Sequence, residues 1–279
     1  MLSHHQIMSR RLLLSVAGLT LLSTEACGAP APTASSTEHH TGSPGPLPPS
    51  PAAAAASSPP PATPPAVNVP SPALSAAAPA AHRISDPLFS LASDDKLVAL
   101  TIDDGPDPTH TPIVLSILKQ YGIRATFFLV GENAADQPGL VREIAQQGHH
   151  LANHTWSHPD LRNLPAAQVR DELERTSEVL EKASGKQLTW FRAPGGDWSK
   201  VALQTCSELG MRPMGWSVDP RDWARPGTAK ITNRVLGGVR PGSIVLNHDG
   251  GGDRSQTIAA MRAYLPVLIE DGYQFTAPR

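Results

Sequence analysis

The sequence predicts an α/β domain built on a mostly parallel sheet, and three observations predict it. From about Asp95 onward, short apolar runs rich in branched and aromatic residues alternate with longer amphipathic runs. Glycine follows several of the amphipathic runs, at Gly122, Gly148 and Gly185, where helices commonly close. Polar residues gather where the apolar runs end. Strand–helix alternation of this kind yields parallel strands joined by crossover helices. Seven strand-like runs favour a barrel over an open sheet.

The elements follow in order. Residues 97–102 read as a buried strand, and 112–121 as a helix that begins at a proline and stops at Gly122. A second strand is predicted over 125–130, a helix over 138–147, and a short strand up to Asn153. Residues 166–184 form the longest helical pattern, with Val169, Leu173, Thr176, Val179, Leu180 and Ala183 at three- and four-residue spacing. Strand 188–191, helix 200–209, strand 212–218, helix 229–239, strand 243–247, helix 257–270 and strand 273–275 complete the series. Cys206 falls in a helical pattern and is expected in the core.

The part before this domain differs in kind. The chain has 279 residues and 29 prolines, of which 15 lie between Pro30 and Pro79. Arg10 and Arg11 precede an apolar run over 12–22, which is too short to span a bilayer and resembles a twin-arginine export signal. Cys27-Gly28 follows and resembles a lipoprotein attachment site, with Thr24 where leucine is usual. Residues 28–82 carry one formal charge, Glu38, among Pro, Ala and Ser. Such a composition cannot bury enough apolar surface to fold, so a disordered linker is expected. Extended as polyproline it would reach on the order of 170 Å. The expected division is thus 1–27 signal segment, 28–94 linker and 95–279 folded domain. Lys and Arg total 23 against 25 Asp and Glu, a net charge of −2, which argues against bulk electrostatic binding of nucleic acid.

In parallel α/β folds, chemistry sits at the C-terminal ends of the strands. Asp103-Asp104 ends the first predicted strand, His154 follows the third, and Arg192 ends the fourth. Asp219 and Asp222 follow the fifth, and His248 ends the sixth. Adjacent strand residues point to opposite faces, so Asp103 and Asp104 share a site only if the strand stops there, and Gly105-Pro106 supplies the turn. Two carboxylates so close repel unless a cation or an arginine is near. His154 and His158, four apart and followed by Pro159, can meet one metal ion across a tight turn.

Five motifs in this order carry a family resemblance. They are Thr101-Ile102-Asp103-Asp104-Gly105-Pro106, His154-Thr155-Trp156-Ser157-His158-Pro159, Arg192-Ala193-Pro194-Gly195-Gly196, Asp219-Pro220-Arg221-Asp222-Trp223 and Leu246-Asn247-His248. The chain over 97–275 resembles the polysaccharide deacetylase family, the NodB-homology group or carbohydrate esterase family 4. The resemblance implies a distorted (β/α) barrel that removes acetyl groups from sugars with one divalent metal, usually zinc, with cobalt or nickel as alternatives. It makes Asp104, His154 and His158 the metal ligands and Asp103 the general base, oriented by Arg192. His248 would be the general acid, oriented by Asp222 in preference to Asp219. The backbone N–H near Gly195 would bind the oxyanion, and Trp223 and Leu246 would line the acetyl pocket. One departure stands out: Gly195 occupies a position where the family usually has an aromatic residue, which removes one wall of the substrate groove.

The expected substrate is an N-acetylated cell-surface glycan, either peptidoglycan or a chitin-like oligosaccharide, with acetylxylan as the next candidate. A non-catalytic glycan-binding protein is a second reading, but it should lack the base or the acid, and both are present. Two histidines and a carboxylate also suit a non-haem iron oxygenase, against which Asp103 argues. The expected protein is monomeric and exported. It is held at the outer face of the cytoplasmic membrane through Cys27, or secreted to the cell wall.

Overall fold

The computed structural model describes residues 86–278. The signal segment, Cys27 and most of the predicted linker lie outside the described residues. Seven strands alternate with helices: β1 (Leu97–Asp103), α1 (Thr111–Gln120), β2 (Thr126–Leu129), α2 (Gly131–Asp136), α3 (Pro138–Gln146) and β3 (His150–Asn153) come first. Then follow α4 (Ala166–Ser184), β4 (Trp190–Phe191), α5 (Lys200–Glu208), β5 (Arg212–Pro213), α6 (Thr228–Gly238), β6 (Ile244–His248), α7 (Ser255–Glu270) and β7 (Gln274–Thr276). The strands form one parallel sheet in the order β5-β4-β3-β2-β1-β6, with β7 beside the start of β1. This is the expected distorted barrel of parallel strands wrapped by helices.

Period-two alternation assigns each strand residue to a face. In β1, Leu100 and Ile102 pack outward with Val114, Leu118, Leu173 and Leu265 of the helices. Ala99, Phe128 of β2, Ala152 of β3, Trp190 of β4 and Ile244 of β6 fill the barrel interior instead. Thr101 and Asp103 share the parity of Ala99, so both point inward, and Asp103 emerges at the C-terminal rim. The longest helix, α4, runs over the residues its spacing predicts; it buries Val169, Leu173, Thr176 and Leu180 and ends at Gly185 with φ 68°. Cys206 is buried in α5, and burial pushes its thiol up to about 12.

The fold departs from the sequence expectation in three places. The predicted strand over 212–218 shrinks to Arg212–Pro213. Beyond it the chain leaves β4 and crosses the gap between β5 and β6: Gly215 N–H bonds Leu88 O at 2.9 Å, and Val218 pairs in parallel with Val245. The predicted strand over 188–191 likewise shortens to Trp190–Phe191. A six-residue helix, α2, stands where no helix was predicted. Its leading N–H groups, on Gly131 and Glu132, bond the carbonyls of Thr155 and Trp156, so a distant turn satisfies its N-terminus.

The linker boundary also moves. Residues 86–94, assigned to the linker from composition, form a strap across the same gap. Leu88 N–H bonds Pro213 O at 3.0 Å, and Leu91 N–H bonds Gly242 O at 2.7 Å. Leu88 and Leu91 cap the interior cluster of Ala99, Trp190 and Met214. The ring of Phe89 lies where a Cβ on Gly215 would stand, 2.5 Å from it. Deleting residues 86–94 should therefore destabilise the domain by about 2–4 kcal/mol, from lost hydrogen bonds and lost packing. Thermal unfolding of chains beginning at Ser85 and at Asp95 should differ by roughly 5–15 °C.

Candidate active site

Asp103, Asp104, His154, His158, Gly195, Trp223, Leu246 and His248 line one cleft of about 390 Å³, together with Ala193, Trp216 and Asp219. Arg192 and Asp222 lie behind its walls, both buried. The structure therefore brings together every residue the five motifs nominated.

The end of β1 resolves the paired aspartates. Asp103 is the last strand residue, and Asp104 turns into the left-handed region at φ 72°, so the two carboxylates meet the cleft from different directions. Asn133 Nδ2 donates to Asp104 O at 2.8 Å, and a Cβ on Gly250 would lie 2.1 Å from that same carbonyl. Asp104 Oδ1 then faces two imidazoles, at 3.4 Å from His154 Nε2 and 3.3 Å from His158 Nε2. Burial pushes the Asp104 carboxyl up, but His154, with His248 and His158 behind it, more than offsets this and holds it below the usual range. Burial and the neighbouring His154 pull His158 below its ordinary value, against the charges of Asp104 and Asp103.

These three side chains fit a divalent cation. One ligand atom from each lies within 4.8 Å of the others. His154 Nδ1 is 2.8 Å from Arg192 O. A carbonyl only accepts, so Nδ1 carries the proton and Nε2 presents a lone pair. That lone pair points at Asp104 Oδ1, a buried oxygen without a hydrogen-bond partner among the described residues. Acceptors aimed at one point need a cation between them, and two imidazoles with one carboxylate leave positions open for water. The carbonyl of Arg192 fixes the tautomer, the usual support for a ligating histidine.

Two carboxylate pairs flank the trio. Arg192 Nη1 donates to Asp103 Oδ1 at 2.6 Å and to Thr101 Oγ1 at 2.9 Å. This leaves Asp103 Oδ2 turned to the cleft, 3.8 Å from His154 Nε2. His248 Nδ1 lies 2.8 Å from Asp222 Oδ1, and Asp222 Oδ2 accepts from His248 N–H at 2.9 Å and from Thr257 Oγ1 at 2.9 Å. Asp222 is thus the aspartate in contact with His248; Asp219 instead caps Arg221 N–H at 2.7 Å. Burial alone would lower His248, but Asp222, with Asp103 and Asp104 beyond, raises it to about 9. Asp103 and His248 are register partners on adjacent strands.

The walls are apolar on one side and open on the other. Leu246, two residues before His248 on β6, faces the cleft with it, beside Trp216 and the half-exposed Trp223. Gly195 has φ 64°, and a Cβ there would touch nothing closer than Asp197 Oδ2 at 3.5 Å. The groove is therefore open where the family usually places a ring. The N–H groups of Gly196 and Asp197 close the turn onto Ala193 O and Pro194 O, while Gly195 borders the cleft.

Sequence reading missed several supports. Arg254, buried, donates through Nη1 to Trp223 O at 3.3 Å and through Nη2 to Gly251 O at 2.9 Å, with Nη2 3.9 Å from Asp104 Oδ2. Asp249 is buried under the 104–106 turn and accepts from Thr111 Oγ1 at 2.7 Å. Burial pushes its carboxyl up to about 7, helped by Asp104 and Asp107 and opposed by the Thr111 bond. The Asp directly after His248 was a visible signal. Arg254 and Asn133 were not, since each acts through contacts distant in sequence.

Comparison with known proteins agrees with this geometry. The family described as polysaccharide deacetylase matches residues 91–214. A chitooligosaccharide deacetylase of a Bradyrhizobium strain is 42% identical over 206 residues, spanning 67% of this chain and 94% of that protein. A peptidoglycan-N-acetylglucosamine deacetylase of Bacillus cereus is 41% identical over 189 residues, spanning 67% and 88%. The solved structure of a peptidoglycan N-acetylglucosamine deacetylase superposes with a TM-score of 0.66 at 38% identity, over 68% of this chain and 89% of that one. The chain belongs to the polysaccharide deacetylase family.

Removing Arg192 should expose the cost of the buried pair. Arg192→Met leaves Asp103 without its partner in a buried site, a loss of about 3–5 kcal/mol. Urea unfolding monitored by tryptophan fluorescence checks it; a midpoint equal to that of the unaltered chain would contradict the pairing.

Proposed function

We propose that the chain is a metal-dependent hydrolase that removes acetyl groups from an N-acetylated cell-surface polysaccharide. Peptidoglycan N-acetylglucosamine and chitin-like oligosaccharides are the proposed substrates, the two classes on which the relatives named above act. The observation that carries the reading is the ligand trio of Asp104, His154 and His158 set beside an Arg-paired carboxylate and an Asp-paired imidazole. When bound, a divalent metal, zinc in the first instance with cobalt or nickel as alternatives, supplies a Lewis acid that polarises an acyl oxygen and acidifies a water.

The chain's own residues do the rest. Asp103, oriented through Oδ1 by Arg192, uses Oδ2 to take the proton of the attacking water. The Gly195 N–H donates to the oxygen that gains negative charge. His248 holds its proton through Asp222 and passes it from Nε2 to the departing nitrogen. Trp223, Leu246 and Trp216 surround the acetyl methyl. An ester would yield to the same groups, which makes acetylxylan the second reading. A glycan-binding protein without turnover would not need the Arg192–Asp103 and Asp222–His248 pairs, and neither would an iron oxygenase. We further propose export through the twin-arginine-like segment, attachment at Cys27 and a role for residues 28–82 as a tether in the wall. Among the described residues no helix is long and apolar enough to cross a membrane.

Acetate release from chitin oligosaccharides, peptidoglycan and acetylxylan, each with zinc or with chelator, tests the reading. Release that needs metal, and that Asp103→Asn lowers by about 10²–10⁴-fold, is the expected result. Zinc-loaded protein inactive on all three would sink it. The pH profile adds a second check. His248 must be protonated to act, so kcat/KM should fall as pH rises through its pKa, no higher than about 9 because a bound cation opposes its charge. Asp222→Asn removes the main raising influence while burial remains, so this limb should move to lower pH. An unmoved limb would take the acid role away from His248.

A further inference from the structure

We propose that Glu172 of α4 is a positioning residue for the metal site, clamping the turn that carries His154 and His158 so that His158 points at Asp104. This rests on the ligand trio of the reading above.

The turn is strained. Thr155 has φ 67° and His158 has φ 56°, left-handed values that non-glycine residues adopt only when their surroundings impose them. His158 depends on this backbone more than His154 does. The His154 ring is buried and tethered through Nδ1 to Arg192 O. The His158 side chain is 43% exposed. Its ring lies 3.3 Å from Asp104 Oδ1, against the edge of the His154 ring at 5.0 Å, and otherwise interacts with its own backbone and the charge of Asp103. Its aim is therefore set by the main chain.

Glu172 holds that main chain. Its Oε2 accepts from Trp156 N–H at 2.7 Å and from Ser157 N–H at 2.8 Å, and its Oε1 accepts from Ser157 Oγ at 2.8 Å. Hydrogen bonds to an ionised acceptor are the stronger kind. The two flanking N–H groups are satisfied as well: Thr155 N–H by Asn153 Oδ1 at 2.9 Å, and His158 N–H by Thr155 Oγ1 at 3.1 Å. Asn153 is in turn bound to α4 through Leu173 O at 2.7 Å. On the other side the carbonyls of Thr155 and Trp156 are taken by Gly131 and Glu132. Trp156 wedges its ring against Gly131, beneath the Arg175 guanidinium at 4.0 Å. Without Glu172, the N–H groups of residues 156 and 157 can turn to water at this open edge. The fold survives, but the turn loses the restraint on its two central N–H groups, and the left-handed conformation of His158 is then held less firmly, by the Thr155 Oγ1 bond and the contacts to α2.

The expected signature is lost metal affinity in a folded chain. Zinc dissociation constants are measured on the full chain by chelator competition, with thermal unfolding followed in EDTA. Glu172→Ala should weaken zinc about 10–100-fold, the usual cost of removing a group that orients a ligand, with little change in metal-free unfolding. Glu172→Gln should keep most of the affinity, because its Oε1 can accept both N–H groups. Glu174→Ala, which removes the same charge from the same helix without touching the turn, should leave affinity unchanged. Should Glu172→Ala not fold, Glu172→Asp serves: it keeps the charge, is one methylene shorter, and should weaken zinc. Unchanged affinity in Glu172→Ala, or equal losses in Glu172→Ala and Glu174→Ala, would overturn the clamp alone. A wild-type chain that binds no zinc would overturn the clamp together with the metal-site reading.

Discussion

The buried guanidinium of Arg192 is the interaction on which the site depends. It is fully buried at the end of β4, in the barrel interior above Phe128. Its Nε donates to Met214 O at 3.0 Å and its Nη2 to Gly215 O at 2.8 Å, while Nη1 holds both Asp103 and Thr101. Its plane stacks 4.0 Å over the Phe128 ring, with Trp216 at 5.4 Å. Its own carbonyl fixes the tautomer of His154, and its N–H bonds Asn153 O. One residue thus ties β1, β3 and the 214–216 crossing to the C-terminal rim of the barrel. Burying a charge costs several kcal/mol unless it is paired and its donors are filled, and here the fork of donors is matched by four acceptors. A lysine, with a point charge and no planar fork, could not meet them in these directions. The strap bears on the same residue, since Leu88 O holds the N–H of Gly215 whose carbonyl Arg192 uses.

Above this rigid base the rim is strained. The non-glycine residues with positive φ among the described residues are Asp104, Thr155, His158, Arg221 and Arg225. Two of them are proposed metal ligands, one lies between those ligands in sequence, and two bracket the turn that carries Asp222 and Trp223. Each such conformation costs on the order of 1–3 kcal/mol and persists only where its surroundings over-determine it. Glycine provides the clearance: Gly250 admits the Asp104 carbonyl, and Gly105 admits the Asp249 carboxyl. The parallel sheet below, buried on both faces, supplies the stiffness.

What the sequence disclosed follows from what is local. Strand ends, proline starts and glycine stops depend on a few neighbouring residues, so α4 and the rim positions of Asp103, His154, Arg192 and His248 were legible. The strand over 212–218 was overcalled because its apolar pattern suits either side of a gap, and only tertiary pairing sends it from β4 to β6. Helix α2 was missed because six residues hold too little period and its N-terminus is completed by a turn some 25 residues away. Residues 86–94 looked like linker because composition does not show that Leu88 and Leu91 meet an open barrel end. Glu172 was overlooked for a different reason: it borders the buried stripe of α4, four residues before Thr176 and seven before Val179, but what it binds is a turn distant in sequence. Asp222 was preferred to Asp219 from its place in the motif, and the direction of each side chain agrees.

The partners of the two carboxylates explain how one rim can serve both halves of an acid–base reaction. Asp103 and His248 stand in register on β1 and β6, strands about 4.8 Å apart, so distance cannot separate their roles. Partner chemistry can. Asp103 is paired with a guanidinium, which does not exchange its proton near neutral pH, so its free oxygen remains an acceptor for the proposed water proton. Asp222 is paired with an imidazole and raises it to about 9, so His248 enters the proposed reaction with a proton to give. Environment, together with residue type, thus sets the direction in which protons would move in the proposed reaction.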